Sequence, residues 1–182
     1  DTYFPELWEN MPMEGEEYVV SRPIFYKQIL LFTLKSSGLN QLSDFEDKAL
    51  GVVRGFSYGR EIISHPKLNL TYQDNDMINI RLLLNKRIDG VLGGFSGTVK
   101  AVKSTRLAHE VNYDVNKPIA ILASFYVCKN DPAGVELCNN IDKAIESLLD
   151  KGILELNDVT GYSRFTPPET MSANTALTGA LN

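Results

Sequence analysis

The 182-residue chain is 43% hydrophobic and carries a formal net charge of −5, enough for a full α/β core or for two small lobes that share a hinge. This acidic balance argues against nucleic acid or an anionic membrane as the main partner, and the longest apolar runs fall short of the roughly 20 residues that a membrane-spanning helix needs. The sequence opens at Asp1 without a basic and apolar leader, so we expect a signal peptide to have been removed or never included.

Strands and helices are predicted to alternate from Ser43 onward. Ser43 is expected to cap a helical turn. Residues 49–53 form a continuous apolar run, which is typical of a strand buried on both faces. This strand ends at Arg54-Gly55, and Ser57 is expected to cap a short helix up to about residue 64.

The next elements repeat this order. Residues 70–73 predict a second strand, and Asp74-Asn75-Asp76 predicts the cap of a helix over 77–86. A third strand is expected at 88–92, closed by Gly93-Gly94. We read this glycine pair both as a tight turn that needs positive φ and as a means of widening a cleft.

A further helix from about residues 96–98 should lead to a strand near 107–111. This rhythm favours a mainly parallel sheet covered on both sides. Ligands of such sheets bind at the carboxyl ends of the strands. Those ends are residues 54–58 and 93–96, so we place the candidate site there.

Two long extended stretches, residues 24–34 and 119–128, bracket the strand–helix block. This layout predicts a lobe inserted into another lobe. We therefore assign 1–32 to part of lobe 1 and the first hinge strand, and 33–121 to lobe 2. Residues 122–182 are assigned to the second hinge strand, the C-terminal helices of lobe 1 and a tail.

A helix is predicted to follow the second hinge strand, with Asp131 as its cap, Pro132 at its first position and Gly152 at its end. Its apolar residues share one face and are expected to point inward: Ile141, Ala144, Ile145, Leu148 and Leu149. Cys128 and Cys138 are interpreted either as a disulfide, which an export compartment permits, or as two small buried thiols.

Several segments, in this order, resemble the amino-acid-type (family 3) periplasmic solute-binding proteins of ABC transporters. Residues 21–26 are similar to the Ser-Asp-Pro-Tyr-Tyr segment that enters the family's first hinge strand, and 51–58 resemble its strand-to-helix junction. The other similar segments are residues 42–48, 82–91, 128–131 and 141–152. The resemblance covers about residues 8–163 and implies a type II clamshell of two α/β lobes with mainly parallel sheets, joined by two hinge strands.

The sequence departs from this family in the residues that clamp an amino acid. The arginine that holds the α-carboxylate has no counterpart in residues 11–17, and the aspartate that holds the α-ammonium is replaced by Gly93-Gly94. Such a charged pair orients a zwitterion. We therefore expect a ligand other than a standard amino acid, whose identity the sequence leaves open.

The family also has a further N-terminal part of lobe 1, so lobe 1 is expected to be incomplete here. Three interpretations stay open: the chain is a fragment, a second chain completes the lobe, or the protein is a reduced member. The sequence does not predict the oligomeric state.

The candidate ligand-binding residues lie at the two strand ends: Arg54, Gly55, Phe56, Ser57, Tyr58, Gly94, Phe95 and Ser96. Backbone N–H groups and the Ser57 hydroxyl are suited to an anion, although Ser57 is equally explained as a helix cap. Arg54 supplies a positive charge or is simply solvated or paired with Glu61. The aromatic residues either sandwich an apolar or cyclic ligand or pack in the core.

No catalytic role is predicted. His65 and His109 lack a nucleophile, a carboxylate pair or metal-ligand spacing and are interpreted as solvated or structural, and burial is the expected role of Trp8 and Tyr26. The sequence has no phosphate loop, nucleophile elbow or zinc signature, so we expect no metal, no cofactor and no enzyme activity.

The sequence thus predicts an extracytoplasmic protein that captures a small molecule for the permease of a membrane transporter. The alternative is a domain of the same fold that senses a ligand within a larger signalling receptor.

Overall fold

The computed structural model describes residues 17–156, together with the backbone of residues 2–7. The chain divides into two compact units, unit 1 (Asp1–Tyr26 with Leu122–Asn182) and unit 2 (Lys27–Ile121). Both boundaries fall inside long strands, one between Tyr26 and Lys27 and the other between Ile121 and Leu122.

Unit 2 holds most of the regular elements. Its strands are β3 (Phe25–Leu34), which starts in unit 1, β4 (Ala49–Val53), β5 (Asn69–Gln73), β6 (Gly90–Gly94) and β7 (Val111–Asn112). Its helices are α1 (Arg60–Ile63), α2 (Asp76–Leu84) and α3 (Phe95–Lys103). Short 3-10 helices cover Lys35–Ser37, Leu42–Phe45 and Ala108–Glu110.

The sheet of unit 2 runs in the order β3-β6-β4-β5. Strand β4 is parallel to both β5 and β6, with Gly51 opposite Thr71 on one side and Val91 on the other. Strand β3 is antiparallel to β6 and also pairs with β7. The parallel part that the apolar runs predict is therefore the set β6-β4-β5 at one end of this order, and β3 joins it as an antiparallel neighbour of β6.

The core of unit 2 forms where α2 and α3 cover this sheet. Ile80 and Leu83 of α2 and Val102 of α3 are almost fully buried against strand residues such as Phe32 and Val91. Helix α2 is capped as the sequence predicts, because the Asn75 side chain accepts a hydrogen bond from the Ile78 N–H.

Two predicted caps are wrong. The 3-10 helix Leu42–Phe45 starts after Gln41, whose N–H and side-chain amide donate to the Asp44 carboxylate, so Ser43 is not its cap. Helix α1 starts at Arg60 with Gly59 as its cap, so Ser57 does not cap it. Gly59 has φ of +91°, a non-helical conformation that favours glycine, so the helix begins only at the next residue.

Two predicted strands are displaced. The third strand begins at Gly90, two residues later than expected. The segment near 107–111 is a 3-10 turn followed by β7 (Val111–Asn112). Asp89 lies just before the third strand, where its N–H donates to the Ala49 carbonyl oxygen and its carboxylate accepts from the Ala49 N–H.

Unit 1 contains β1 (Thr2–Leu7), β2 (Tyr18–Val20), β8 (Ala120–Lys129), which starts in unit 2, and α4 (Pro132–Asp150). Strands β1 and β2 are both antiparallel to β8. Helix α4 starts as predicted, with Asp131 accepting from the Gly134 N–H at 2.8 Å. It ends before Gly152, which adopts φ of +64°.

A disulfide joins the end of β8 to α4. It links Cys128 with Cys138, which decides between the two interpretations of this cysteine pair. The predicted inward face of α4 is only partly correct, since Ile145 is buried whereas Leu148 is 39% exposed and Ala144 is exposed too. Within residues 17–156, no helix has the length and apolar character required to cross a membrane.

Candidate functional site

The carboxyl ends of β4 and β6 lie at one edge of the sheet of unit 2, because these two strands are parallel neighbours. The segment 54–58 follows β4, and Gly94 ends β6 directly before α3 begins at Phe95. All the candidate residues predicted from the sequence therefore belong to one edge of unit 2.

Lys27 of β3 connects the two strand ends. Its Nζ donates a hydrogen bond to the Ser57 carbonyl oxygen at 2.9 Å. Its Cε lies 3.7 Å from the position that a Cβ on Gly94 would take. We call Lys27, Phe56, Ser57, Gly94 and Phe95 the strand-end site.

Aromatic rings surround the Lys27 ammonium. Its Nζ lies 5.0 Å from the centroid of the Phe56 ring and 5.6 Å from that of Tyr58. Both distances fall within the range of a cation–π interaction. The ring of Phe56 thus helps to hold the ammonium in place while keeping 52% of its own surface exposed.

Phe95 is the second exposed aromatic residue of the site. It opens α3 and is 46% exposed. Removing apolar surface of this size from water is favourable, so a ligand that covers the ring gains binding free energy. Phe56 and Phe95 therefore fit the predicted role of flanking an apolar ligand, which stays a prediction.

Tyr58 differs from these two residues. It is 1% exposed, and its hydroxyl accepts a hydrogen bond from the Val53 N–H at 2.7 Å. Burial raises the pKa of Tyr58 to about 12, so its hydroxyl is neutral near pH 7. Tyr58 thus connects β4 with the loop that follows it, which favours the alternative that this ring packs in the core.

Gly55 and Arg54 are exposed at the end of β4. Gly55 has φ of +75°, a conformation that favours glycine. The Arg54 guanidinium pairs with Asp74 at 3.8 Å and reaches the Tyr72 carbonyl oxygen at 3.5 Å. Arg54 therefore pairs with Asp74, whereas the sequence offered a pair with Glu61 as one of its alternatives.

Gly93 and Gly94 do not form the predicted turn, because neither has a positive φ. Gly94 has φ of −70° and is the residue before the first turn of α3. A Cβ on Gly93 would collide with the Thr98 side chain. The pair thus serves close packing at Gly93 and room beside Lys27 at Gly94.

The first turn of α3 faces an acidic group of unit 2. The Thr98 hydroxyl, which is fully buried, donates to Asp76 Oδ1 at 2.7 Å. The other oxygen of Asp76 lies 2.9 Å from the position of a Cβ on Gly97. The Asp76 carboxylate thus contacts the buried side of the first turn of α3, whereas Ser96 in the same turn is exposed.

The remaining predicted residues fall outside the site. His65 is exposed and accepts from the Lys67 N–H, and His109 is exposed beside Glu110. Tyr26 is half-buried, and burial raises its pKa. Trp8 lies outside the described residues. In the part of the chain that the structure describes, no group of His, Cys, Asp or Glu is arranged to hold a metal ion.

Sequence reasoning missed Lys27, the residue that unites the site. A signal was present, because Lys27 interrupts a strand that is otherwise largely apolar from Phe25 to Leu34. A charged residue in such a position calls for a specific partner. That partner, the carbonyl of Ser57, is far away in the sequence.

Comparison with known proteins shows the fold of the chain. No protein-family model matches it, and no curated protein sequence is significantly similar to it. Solved structures do match. The GluR0 ligand binding core in complex with L-glutamate is 16% identical, covers 79% of this chain and 64% of its own, and gives a TM-score of 0.60.

Two further structures agree. The substrate binding protein of an amino acid ABC transporter is 13% identical over 79% of this chain and 63% of its own, with a TM-score of 0.58. A solute receptor for L-cysteine of Neisseria gonorrhoeae is 15% identical over 82% and 57%, with a TM-score of 0.58.

These similarities confirm the predicted fold class, which is the α/β fold of type II periplasmic binding proteins. The chain spans less than two thirds of the length of each of the three compared structures, at 64%, 63% and 57%.

Proposed function

We propose that the protein is an extracytoplasmic solute-binding protein, which captures a small molecule at the strand-end site and delivers it to the permease of a membrane transporter. The observation that carries this proposal is Lys27, which contacts Ser57 and lies beside Gly94 at the edge where α/β folds bind ligands. The fold shared with a substrate binding protein of an amino acid ABC transporter supports it.

The disulfide supports the proposed location. Disulfides persist in oxidising compartments such as the periplasm and are rare in the cytosol. The bond between Cys128 and Cys138 ties β8 to α4 across a sequence separation of 10 residues. This redox argument and the shared fold support the proposed placement outside the cytoplasm.

Hinge motion is part of the proposal. The boundaries between the two units fall inside β3 and β8, so each connection is a continuous strand. We assign residues 1–32 and 122–182 to the lobe and hinge strands around an inserted lobe 33–121. A ligand with different affinities for two states of this hinge would shift their populations.

The first test is to block the strand-end site. The Ser57→Trp variant adds a large side chain next to Lys27 and should abolish the binding of any ligand there, while the melting temperature of the ligand-free protein stays nearly unchanged. Native mass spectrometry and thermal-shift screening with carboxylates, cyclic compounds and amino acids measure both quantities.

The matched control is Ser43→Trp, which adds the same side chain at an exposed serine before the start of β4. It should bind like the wild type. Binding that survives in Ser57→Trp but not in Ser43→Trp would move the site to the opposite edge of the sheet.

The alternative function is a domain that senses a ligand within a larger signalling receptor. Its support is the fold shared with the GluR0 ligand binding core. Transport predicts that the protein binds a permease reconstituted in membranes, whereas sensing predicts that the full gene product carries a signalling domain on the same polypeptide.

A further inference from the structure

The strand-end site carries a fixed positive charge, which limits the chemistry of its ligand. Lys27 Nζ is held 2.9 Å from the Ser57 carbonyl oxygen and 5.0 Å from the centre of the Phe56 ring. An ammonium group at this position repels a cationic ligand and attracts an anion, most strongly where protein surrounds it. The site is thus suited to a ligand with a negatively charged group.

The apolar surface of the site adds a second condition. Phe56 and Phe95 are 52% and 46% exposed, on the loop after β4 and at the start of α3. Aromatic rings bind planar apolar groups by stacking or edge-to-face contact, worth about 0.5–1.5 kcal/mol beyond the buried area. A ligand that covers these rings needs a planar apolar body beside its charge.

The acidic groups near the site provide the third condition. The Asp76 carboxylate accepts the hydrogen bond of Thr98, which is fully buried. The Asp74 carboxylate pairs with Arg54. Gly93 and Gly94 bring no side chain to the end of β6. Asp74 and one oxygen of Asp76 thus contact groups of the protein itself, and the end of β6 offers no acid to a ligand ammonium.

We propose that the ligand is an organic carboxylate with a planar apolar body and no ammonium group. Lys27 pairs with the carboxylate, and Phe56 and Phe95 flank the apolar body. This inference rests on the proposed function, because it names the chemical class of the molecule captured at the same site. It gives Lys27 the role of the residue that selects charge.

Four probes with the same phenylethyl group separate charge from shape: 3-phenylpropanoate, its neutral amide 3-phenylpropanamide, L-phenylalanine and 2-phenylethylamine. Isothermal titration of the full chain should give the tightest binding for the carboxylate. The amide should bind about tenfold more weakly, the loss equivalent to one charge-assisted hydrogen bond. L-Phenylalanine should also bind more weakly than the carboxylate, and the amine should not bind.

Variants of Lys27 link this order to the site. Lys27→Gln should remove the preference for the carboxylate over the amide, and Lys27→Arg should retain it, because arginine keeps the charge. The control Lys67→Gln removes an exposed lysine that pairs with Glu46 before β5, and it should leave the preference unchanged. Circular dichroism checks that each variant folds.

The possible results separate the chemical class of the ligand from the proposed binding function of the strand-end site. Tighter binding of L-phenylalanine or of the amine than of the carboxylate, abolished by Ser57→Trp, overturns the chemical class but leaves the strand-end site in place. Binding of the carboxylate that persists in Ser57→Trp overturns both. The inference is also overturned if none of the four probes binds at millimolar concentration, or if Lys27→Gln keeps the wild-type preference.

Discussion

The two edges of the parallel strands in unit 2 differ in the contacts described for their lysines and in the aromatic rings that they leave exposed. At the amino edge, Lys67 bonds both carboxylate oxygens of Glu46, at 3.0 and 3.1 Å. Asp89 there accepts from the Ala49 N–H at 2.8 Å. At the carboxyl edge, Lys27 donates to the main-chain carbonyl oxygen of Ser57. The rings of Phe56 and Phe95 are exposed there.

This difference fits the proposed function, in which the amino edge serves stability and the carboxyl edge offers binding groups. Side chains at the amino edge satisfy one another, and Phe45 is fully buried there against Gly90. The carboxyl edge leaves the rings of Phe56 and Phe95 about half exposed and places the Lys27 ammonium over the Phe56 ring. The predictions below test this contrast, from the largest expected effect to the smallest.

Replacing each glycine at the end of β6 should give unequal effects. In Gly93→Ala the new Cβ collides with the Thr98 side chain and disturbs its bond to Asp76. We expect a loss of about 1–3 kcal/mol in the free energy of unfolding. In Gly94→Ala the new Cβ meets Lys27 Cε at an ordinary 3.7 Å.

Urea unfolding of the two variants measures this contrast. Gly94→Ala should leave stability nearly unchanged while it narrows the space beside Lys27 and weakens ligand binding. Equal destabilisation by both substitutions would mean that Gly94 serves packing as Gly93 does.

Removing the Tyr58 hydroxyl should weaken the framework beneath the site. The Tyr58→Phe variant leaves the buried N–H of Val53 without its acceptor. An unsatisfied buried group of this kind costs about 1–3 kcal/mol. Chemical unfolding should show this loss. Wild-type stability in the variant would contradict the role of Tyr58 in holding the loop after β4 against that strand.

The same hydroxyl predicts a dependence on alkaline pH. Burial raises the pKa of Tyr58 from 10.0 to about 12 in the folded protein. The unfolded chain therefore loses this proton first as the pH rises, and stability that is fully present below pH 10 is lost between about pH 10 and 12. The free energy of unfolding, measured across this pH range, should fall less steeply in Tyr58→Phe than in the wild type. Parallel curves for the two proteins would contradict this role of the hydroxyl.

Breaking the ion pair at the amino edge should have the smallest effect. Lys67 and Glu46 have side chains that are 62% and 51% exposed, and pairs this exposed contribute less than about 1 kcal/mol. Lys67→Met should thus lower the melting temperature only slightly and leave ligand binding intact. A loss of ligand affinity in this variant would contradict the division between the two edges.

Much of this contrast was predictable from sequence because it depends on local patterns. The apolar run at 49–53 predicts a buried parallel strand, and the rule for parallel sheets then places a site at its carboxyl end. Asn75 and Asp131 are recognisable as caps because each cap bonds an N–H three residues along the chain.

Several of the errors concern contacts that a single segment does not reveal. Lys27 meets Ser57 across a separation of 30 residues, and Tyr58 turns inward to bond Val53 in the preceding strand. Gly51 reads as an ordinary apolar strand residue, yet a Cβ there would meet the side chain of the buried Asn79. Glycine roles of this kind depend on the neighbouring layer and cannot be read from one strand.

A crystal structure of the protein with 3-phenylpropanoate tests the central claim most directly. We expect the ligand carboxylate to lie at hydrogen-bonding distance from Lys27 Nζ, about 2.7–3.2 Å. The phenyl ring of the ligand should lie against Phe56 or Phe95. A ligand bound instead at the amino edge beside Lys67, or a strand-end site that stays empty while binding is measured in solution, would contradict it.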